Sequence, residues 1–531
     1  MKGWFEMANK TLFQSIVGKL LPRTNAVNEA MGQAYKFDDR HALGQLAATG
    51  CLNSTFYASA QGQLDQVLEL AGRVEPEFVA RTALYARKRA YMKDMPALLC
   101  AVLSVRSPGL LAEVFDRVID NPKMLRNFVQ IMRSGVVGRK SLGSLPKRLI
   151  LQWLSNRTDR QLFTGSVGSS PSLADVIKMV HPKPESASRE SLQGYLLGRD
   201  HNVEALPEVV RAYERFKCSG DRASMNAPDV PFQMLTSLEL SKRHWVGIAE
   251  NASWQMTRMN LNTFMRHGVL DDRKMVRVIA ERLADPELIA KARVLPYQLM
   301  IAYMCASSDL PTAIREALQD AMEISLRNVP VVDGKVYVLP DVSGSMHSPV
   351  TGYRKGSTSA VRCIDVAALV AAAMLRTNRL TQVVPFESKV VKVALNPRDS
   401  VMTNARKLAN LPQGGTNCAA PLRHLNARRA RGDLVIYVSD NESWLDSPYY
   451  GRCGGSATAT MKEWAVFKRR NPQAKMVCID IQPYDTTQAA ERDDIINVAG
   501  FSDKVFGLIA DVAAGRSQAG YWVSQIEDVE L

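Results

Sequence analysis

Val336-Tyr-Val-Leu-Pro-Asp341-Val-Ser343-Gly-Ser345-Met346 reads as a buried strand that runs straight into a carboxylate and two hydroxyls at alternate positions. Asp341, Ser343 and Ser345 form D-x-S-x-S, which offers three hard oxygen ligands from one short loop. Oxygen donors in near-octahedral array suit Mg²⁺ or Mn²⁺ better than zinc, which takes nitrogen and sulfur. An open sheet binds ligands outside the carboxyl ends of its strands, so the position fits the chemistry. Asp, Ser and Gly are also ordinary turn residues, and the pattern alone leaves a plain polar turn open. Two later stretches weigh against that. Gly414-Gly415-Thr416-Asn417 offers a hydroxyl on a glycine-rich loop, and Leu434-Val-Ile-Tyr-Val-Ser439-Asp440-Asn-Glu442 is a second apolar strand that ends in a carboxylate.

Around these motifs the pattern from about residue 330 onward alternates strands and helices. It predicts strands at 335–340, 381–386, 389–395, 434–439, 475–481 and 504–509. Helices are expected at 361–376, 400–410, 418–430 and 460–470, with a helical segment at the end. Nearly continuous apolar runs such as Leu434 to Val438 and Lys475 to Ile481 fit strands covered by helices on both faces. Residues 1 to about 330 read instead as helix after helix. Phe78 to Tyr91, Ala97 to Val105, Leu110 to Ile119, Met124 to Arg133 and Arg273 to Leu283 carry apolar residues at helical spacing. Many begin at proline or after Ser, Thr or Asp, as helix starts do. The expected architecture is an all-α solenoid of helical pairs over 1–330 and a doubly wound α/β domain over 331–531. No fixed-period repeat is visible.

The chain of 531 residues is 46% hydrophobic and 23% charged, an ordinary globular balance, and exceeds a single core. No apolar run reaches the ~20 residues of a membrane-spanning helix, and the first residues have no signal-peptide shape. Eight scattered cysteines without a C-x-x-C pair read as reduced, mostly buried thiols of a cytoplasmic protein. The net charge of +14 is uneven: 24 basic against 20 acidic residues in 331–531 leave 43 against 33 in 1–330. A basic surplus in the helical half points to an anionic partner, nucleic acid being the commonest. Its clusters are Arg87-Lys88-Arg89, Arg139-Lys140, Lys147-Arg148, Lys178 with His181 and Lys183, Lys242-Arg243-His244, and Arg258 with Arg266 and His267. Each taken singly also fits a solvated helix face. Interleaved Tyr85, Tyr91, Trp245 and Trp254 could stack on unpaired bases.

The three oxygen-bearing stretches resemble the metal-ion-dependent adhesion site of von Willebrand factor A domains. That resemblance implies one divalent cation, Mg²⁺ or Mn²⁺, held by Asp341, Ser343, Ser345, Thr416 and Asp440. The family's frequent T-D-G is here Ser439-Asp440-Asn441. The whole chain resembles the Ro ribonucleoprotein family, most closely its bacterial members. Besides Asp341 to Met346, the pieces that carry this include Val384-Pro-Phe-Glu-Ser388, Gly414 to Cys418, Ser439 to Ser443 and Asp494 to Asp503. In the helical half they include Met132 to Arg139, Asp175-Val-Ile-Lys-Met-Val-His181-Pro-Lys-Pro184, Met256 to Gly268 and Ala292 to Gln298.

The resemblance implies a TROVE domain, a ring of HEAT-like helical repeats closed by the A domain. It implies that an outer basic surface binds small noncoding Y RNA and that a central hole takes single-stranded ends of misfolded RNA. It implies work beside an exoribonuclease such as polynucleotide phosphorylase, and a carboxylate-bearing protein ligand at the adhesion site. The stretch with Lys178 and His181 matches a family segment linked to Y RNA; the other basic positions are assigned on charge alone. No catalytic constellation is evident: there is no G-x-S-x-G, no H-E-x-x-H and no zinc set among seven histidines. Gly451-Arg-Cys-Gly-Gly455 lacks phosphate-loop spacing. The expectation is an RNA-binding protein without catalysis. Two other readings stay open: a cation-dependent scaffold that binds protein, and a hydrolase with His347 as base beside Ser345.

Overall fold

The computed structural model describes residues 21–50, 52–168, 171–292, 294, 296–326, 329, 331–353, 361–444, 457–499, 504–516 and 520–531. Gly451–Gly455, Cys51, Cys453 and the Gly-Phe-Ser-Asp end of the 494–503 match lie outside them.

The helical half is built from amphipathic segments with explicit starts and stops. Helix Pro122–Ser134 is typical. The Asn121 side chain accepts from the Met124 amide, Pro122 opens the first turn, and Gly135 ends it at φ 87°. Met124, Leu125, Phe128, Val129 and Met132 form its buried stripe. Capping boxes at Thr158 and Ser172 start helices Asp159–Gly165 and Leu173–Val180. Helix Asp94–Arg106 is buried all round from Met95 to Ser104, enclosed by Pro76–Lys88, Pro108–Val118 and Pro122–Ser134. Most of the later helices through Thr312–Ser325 pack on others of the array, and Glu208–Cys218 meets its surroundings through Tyr213 against Phe163 and Phe216 against His244. Among the described residues no helix is long and apolar enough to cross a membrane.

The strands are β1 (Ala26–Val27), β2 (Gln33–Lys36), β3 (Val336–Pro340), β4 (Gln382–Val383), β5 (Leu434–Ser439), β6 (Lys475–Asp480), β7 (Thr486–Thr487) and β8 (Ile495–Ala499). Five form a parallel sheet in the order β4-β3-β5-β6-β8. The chain leaves β3 for one side of the sheet and returns to build the other. The topological switch point therefore lies between β3 and β5, and the crevice at their carboxyl ends is the place for a ligand. Helix Cys363–Thr377 is buried from Cys363 to Leu375, against the sheet on one side and helix Val401–Ala409 on the other.

Two expected strands are corrected. Residues 389–395 form no ladder; Phe386 and Val390 meet only in an isolated bridge. The stretch expected as a strand at 504–509 is the start of helix Lys504–Ala513, because Val505, Leu508, Ile509 and Val512 share one helical face. The fifth strand is β8, where Ile495–Ala499 is fully buried. The strand expected at 381–386 shortens to β4, with Val384 and Phe386 still donating to the Val338 and Pro340 carbonyls.

The start of the described chain returns to the α/β half. β2 pairs with β7, and Tyr35 is buried beside Tyr337, Trp464 and Phe467. A boundary drawn at residue 330 thus leaves out the β1–β2 hairpin. The helical array meets the α/β half at both ends. Helix Asp39–Thr49 packs on β8 and on the C-terminal helix Tyr521–Glu527, while Pro296–Met304 and Thr312–Ser325 pack on Cys363–Thr377 and Val401–Ala409. One apolar core runs across both seams and includes the fully buried Ile526. Ile526→Ala is expected to remove about 2–5 kcal/mol of cohesion at the first seam. Thermal unfolding would show a lowered Tm, and limited proteolysis would show earlier cleavage there.

Candidate functional site

β3 and β5 end side by side in the crevice, and their next residues bring the predicted oxygen donors together. The Ser343 amide donates to Asp341 Oδ1 at 2.8 Å, and the Ser343 and Ser345 hydroxyls lie 3.2 Å apart. Ser345 also hydrogen-bonds Asp440. Gly344 donates to the Gly414 carbonyl at 3.0 Å, and Trp444 donates to the Thr416 carbonyl at 3.3 Å. The Thr416 loop is therefore held between the other two. Gly415 permits this: a Cβ there would lie 2.3 Å from Trp444 Nε1. All five predicted ligands are at most 4% exposed.

Three further residues belong to this centre. Ser439 donates to Asp341 Oδ2 at 2.6 Å and fixes its carboxylate. Asp480 ends β6 in register with Ser439 and takes the Asn441 side-chain amide, with Asn441 held at φ 59°. Glu442 accepts the Ala30 amide at 3.1 Å. Among the described residues, Glu442 Oε1 and Asp480 Oδ2 have no hydrogen-bond partner. Burial first, and then the charge of Asp440, raises the pKa of Asp341 to about 7, and the same causes push Glu442 and Asp480 well up. Burial also raises Asp440. No Lys, Arg or His among the described residues makes an ion pair with any of the four.

The helical half roofs the crevice. Tyr57 hydrogen-bonds Ser345, and its phenol is raised by burial and then by the charge of Asp440. The Tyr57 ring packs edge-on to Tyr484, whose hydroxyl lies 3.2 Å from Thr55 Oγ1. Asn53 donates to the Thr351 carbonyl at 2.9 Å and Asn28 to the Ser443 carbonyl at 2.9 Å. A Cβ on Gly32 would lie 2.3 Å from that Ser443 oxygen. Tyr57 carries no signal in sequence, since it lies far from the motifs it covers. Asp480 had one: it is a third carboxylate at the end of an apolar strand.

This donor set fits a hard divalent cation: hydroxyls and carboxylates only, buried, with surplus negative charge. Asp341, Ser343, Ser345, Thr416 and Asp440 are the residues that could hold one, with hydroxyls as most of the donors; among the described residues no three His, Cys, Asp or Glu are arranged to hold an ion. His347 Nδ1 lies 3.0 Å from Arg362 Nη1, and burial and then Arg362 lower its pKa.

The basic positions of the helical half divide into two groups. Arg87 grips Asp120 with Nε at 3.0 Å and Nη2 at 2.8 Å, and gives Nη1 to the Met92 carbonyl. Lys88 lies 3.5 Å from the same carboxylate, and Arg89 sits over the Tyr85 ring. Arg139 donates to the Ser141 and Leu142 carbonyls. Arg258 donates to the Gln298 carbonyl at 2.8 Å, and His267 stacks on Trp245 at 4.1 Å. Arg87, Arg139 and Arg258 are thus spent on internal contacts, which corrects their placement among free surface cations. Lys140, Arg148, Lys178, His181, Lys183 and Arg266 are exposed, Lys147 is half-buried, and none has an ion pair among the described residues. Arg148, His181 and Lys183 converge on one cavity. Lys178 faces Asp175, where Arg133 adds a second positive charge that the basic clusters of the sequence do not include.

The sequence model of the Ro60 vWA domain matches residues 335–513. The RNA-binding protein RO60 of Deinococcus radiodurans is 23% identical over 533 residues, covering 92% of this chain and 95% of the relative. The RNA-binding protein RO60 of Caenorhabditis elegans is 26% identical over 299 residues, 53% of this chain and 43% of that protein. The crystal structure of the Deinococcus radiodurans RO (RSR) protein superposes with a TM-score of 0.63 at 20% identity, covering 90% of this chain and 100% of that one. The structural likeness bears on the fold: a helical array followed by a von Willebrand factor A domain.

Removing one of the crowded carboxylates separates repulsion from ligation. Asp440→Asn is expected to raise Tm without divalent cations, because it relieves a buried like-charge contact. Mg²⁺ or Mn²⁺ at 100 times Kd should stabilise the unsubstituted protein by about 2.7 kcal/mol and the variant far less. Thermal unfolding with EDTA and then with added metal reads both effects.

Proposed function

The chain belongs to the Ro ribonucleoprotein family, and from that premise we propose that it binds RNA without catalysing a reaction on it. A small structured noncoding RNA of the Y type lies on the outer basic surface, and single-stranded ends of misfolded RNA enter the centre of the helical array. The protein then acts in RNA quality control, maturation or decay beside an exoribonuclease of the polynucleotide phosphorylase kind. The observation that carries this reading is the set of exposed basic side chains without ion pairs at one end of helix Leu173–Val180, Arg148, Lys178 and Lys183, with the exposed His181 among them. A-form RNA is held there through its phosphates and shape, since its deep major groove admits no side chains.

One divalent cation, Mg²⁺ or Mn²⁺, belongs in this proposal at Asp341, Ser343, Ser345, Thr416 and Asp440. When bound it would supply the positive charge that the crevice lacks. Tyr57 stands where an incoming ligand would approach, so a carboxylate from a protein partner requires the 52–58 segment to move aside. Among the described residues, the contacts across both seams support the ring-like closure that this reading needs.

Titration of a structured small RNA against the protein at several salt concentrations tests the reading. Lys178→Ala with Lys183→Ala should weaken binding and flatten the salt dependence by about two units of slope, one for each phosphate that is no longer neutralised. Arg87→Ala should leave the slope intact and instead cost about 1–3 kcal/mol of stability, because it removes both guanidinium bonds to Asp120 and leaves that carboxylate only Asn121 and the more distant Lys88. An unchanged slope in the lysine variant would contradict this placement of the RNA.

A further inference from the structure

Between Arg40 and Asp65 the chain has no Asp, Glu, Lys or Arg. Within that uncharged stretch, residues 52–58 lie between helix Asp39–Thr49 and helix Ala60–Arg73 and cross over the carboxylate crevice. Polar contacts hold them there. Asn53 donates to the Thr351 carbonyl at 2.9 Å. The Tyr353 amide donates to the Ser54 carbonyl at 2.7 Å, and the two residues form an isolated antiparallel bridge. The Thr55 hydroxyl lies 3.2 Å from that of Tyr484, and the Tyr57 hydroxyl bonds Ser345 inside the crevice. Among the described residues neither Phe56 nor Tyr57 belongs to the apolar core, and Phe56 is 52% exposed.

This strap is held differently from the two seams, which are apolar. Hydrogen bonds that can be exchanged for bonds to water contribute little net, so the strap can part from the crevice while the seams stay packed. Its own turn does not depend on the crevice. Gln63 Nε2 donates to the Asn53 carbonyl at 2.6 Å, the Ala60 amide to Ser54 Oγ at 3.2 Å, and the Thr55 amide to the Ala58 carbonyl at 2.8 Å.

Charge decides what can occupy the position that Tyr57 fills. The charges of Asp440, Glu442 and Asp341 all act on its phenol. Without a cation, an incoming carboxylate meets like charge there. A phenol is neutral at ordinary pH and donates a hydrogen bond, so Tyr57 suits the metal-free crevice. A divalent cation reverses the preference, because a hard cation favours carboxylate oxygens. We infer that residues 52–58 are a charge-selective plug: Tyr57 fills the ligand position of the crevice, and an external carboxylate displaces it only when the cation is present. The inference deepens the metal reading of the crevice and rests on it. The strap follows helix Asp39–Thr49, which packs on β8 and on Tyr521–Glu527, so displacement of the plug is passed to the first seam.

The test uses the full chain, with Mn²⁺ and acetate as probes. Hydrogen–deuterium exchange over 52–58 and at Tyr353 reads the strap, and water-proton relaxation by bound Mn²⁺ reads access to the centre. Mn²⁺ with acetate should speed exchange of the strap several-fold, whereas Mn²⁺ alone, or sodium acetate with EDTA, should leave it unchanged. Tyr57→Ala should lower the acetate concentration that displaces water from Mn²⁺ by at least about tenfold, since an open state populated at about 10% or less weakens apparent affinity by that fraction. Tyr57→Phe, which keeps the ring and loses the bond to Ser345, should fall between. Ser54→Cys with Tyr353→Cys locks the strap: opposed residues of an antiparallel pair have Cα atoms about 4.5–5.5 Å apart, which a disulfide spans. Oxidised, this pair should block acetate; reduced, it should admit it again. Equal acetate access in the unsubstituted, Tyr57→Ala and oxidised proteins would overturn the inference while leaving the metal centre intact. A strap that opens with Mn²⁺ alone would overturn it too, since the carboxylate would then play no part. Absence of bound Mn²⁺ from every form would instead remove the metal reading itself.

Discussion

The crowding of buried carboxylates in the crevice between β3 and β5 constrains the architecture more than any other feature. Asp341, Asp440, Glu442 and Asp480 are almost fully buried together, and no ion pair relieves them among the described residues. Burying a carboxylate costs several kcal/mol unless hydrogen bonds, protons or a cation offset the cost. The chain supplies part of that offset from distant places. Ser439, the Ser343 amide, the Ala30 amide and Asn441 each donate into the cluster. Because the Ala30 amide comes from the N-terminal hairpin, the electrostatics of the crevice also fasten that hairpin to the sheet. A divalent cation, if bound there, would complete the same balance and would link its binding to cohesion of the two halves.

The two halves also meet away from the crevice, at both seams. Tyr57 sits in the segment just before helix Ala60–Arg73 and contacts the centre directly. The helical array is thereby tied to the α/β half by apolar packing at two seams and by polar contacts over the crevice. Elsewhere on the array, cations either brace the helices, as Arg87 and Arg139 do, or stand free around helix Leu173–Val180. That division separates positions that hold the shape from positions able to meet phosphates.

Much of this was legible in the sequence because it is written in short-range pattern. D-x-S-x-S, the glycine-flanked threonine and the second apolar strand carry their spacing in a few residues, and the sheet order then brought them together. The helical half declared itself through capping residues and apolar period. The misreadings share a cause. The short apolar run at 504–509 satisfies strand and helix alike, and only its extension to Val512 decides for a helix. Arg87 and Arg139 look like surface charge because their partners, Asp120 and the 141–142 carbonyls, declare themselves only in three dimensions. Tyr57 and Glu442 were illegible as site residues for the same reason. Their role comes from chain segments that meet across nearly the whole length of the protein, and no local pattern encodes that.

The central claim, that this protein is an RNA-binding member of its family with its outer site at the end of helix Leu173–Val180, is met most directly by sequencing the RNA that copurifies with the tagged protein from its own cells. The same measurement on a Lys178→Ala, His181→Ala variant provides the control. The account predicts strong enrichment of one or a few small structured RNAs, reduced in the variant. RNA that matches the cellular pool in both samples would contradict it.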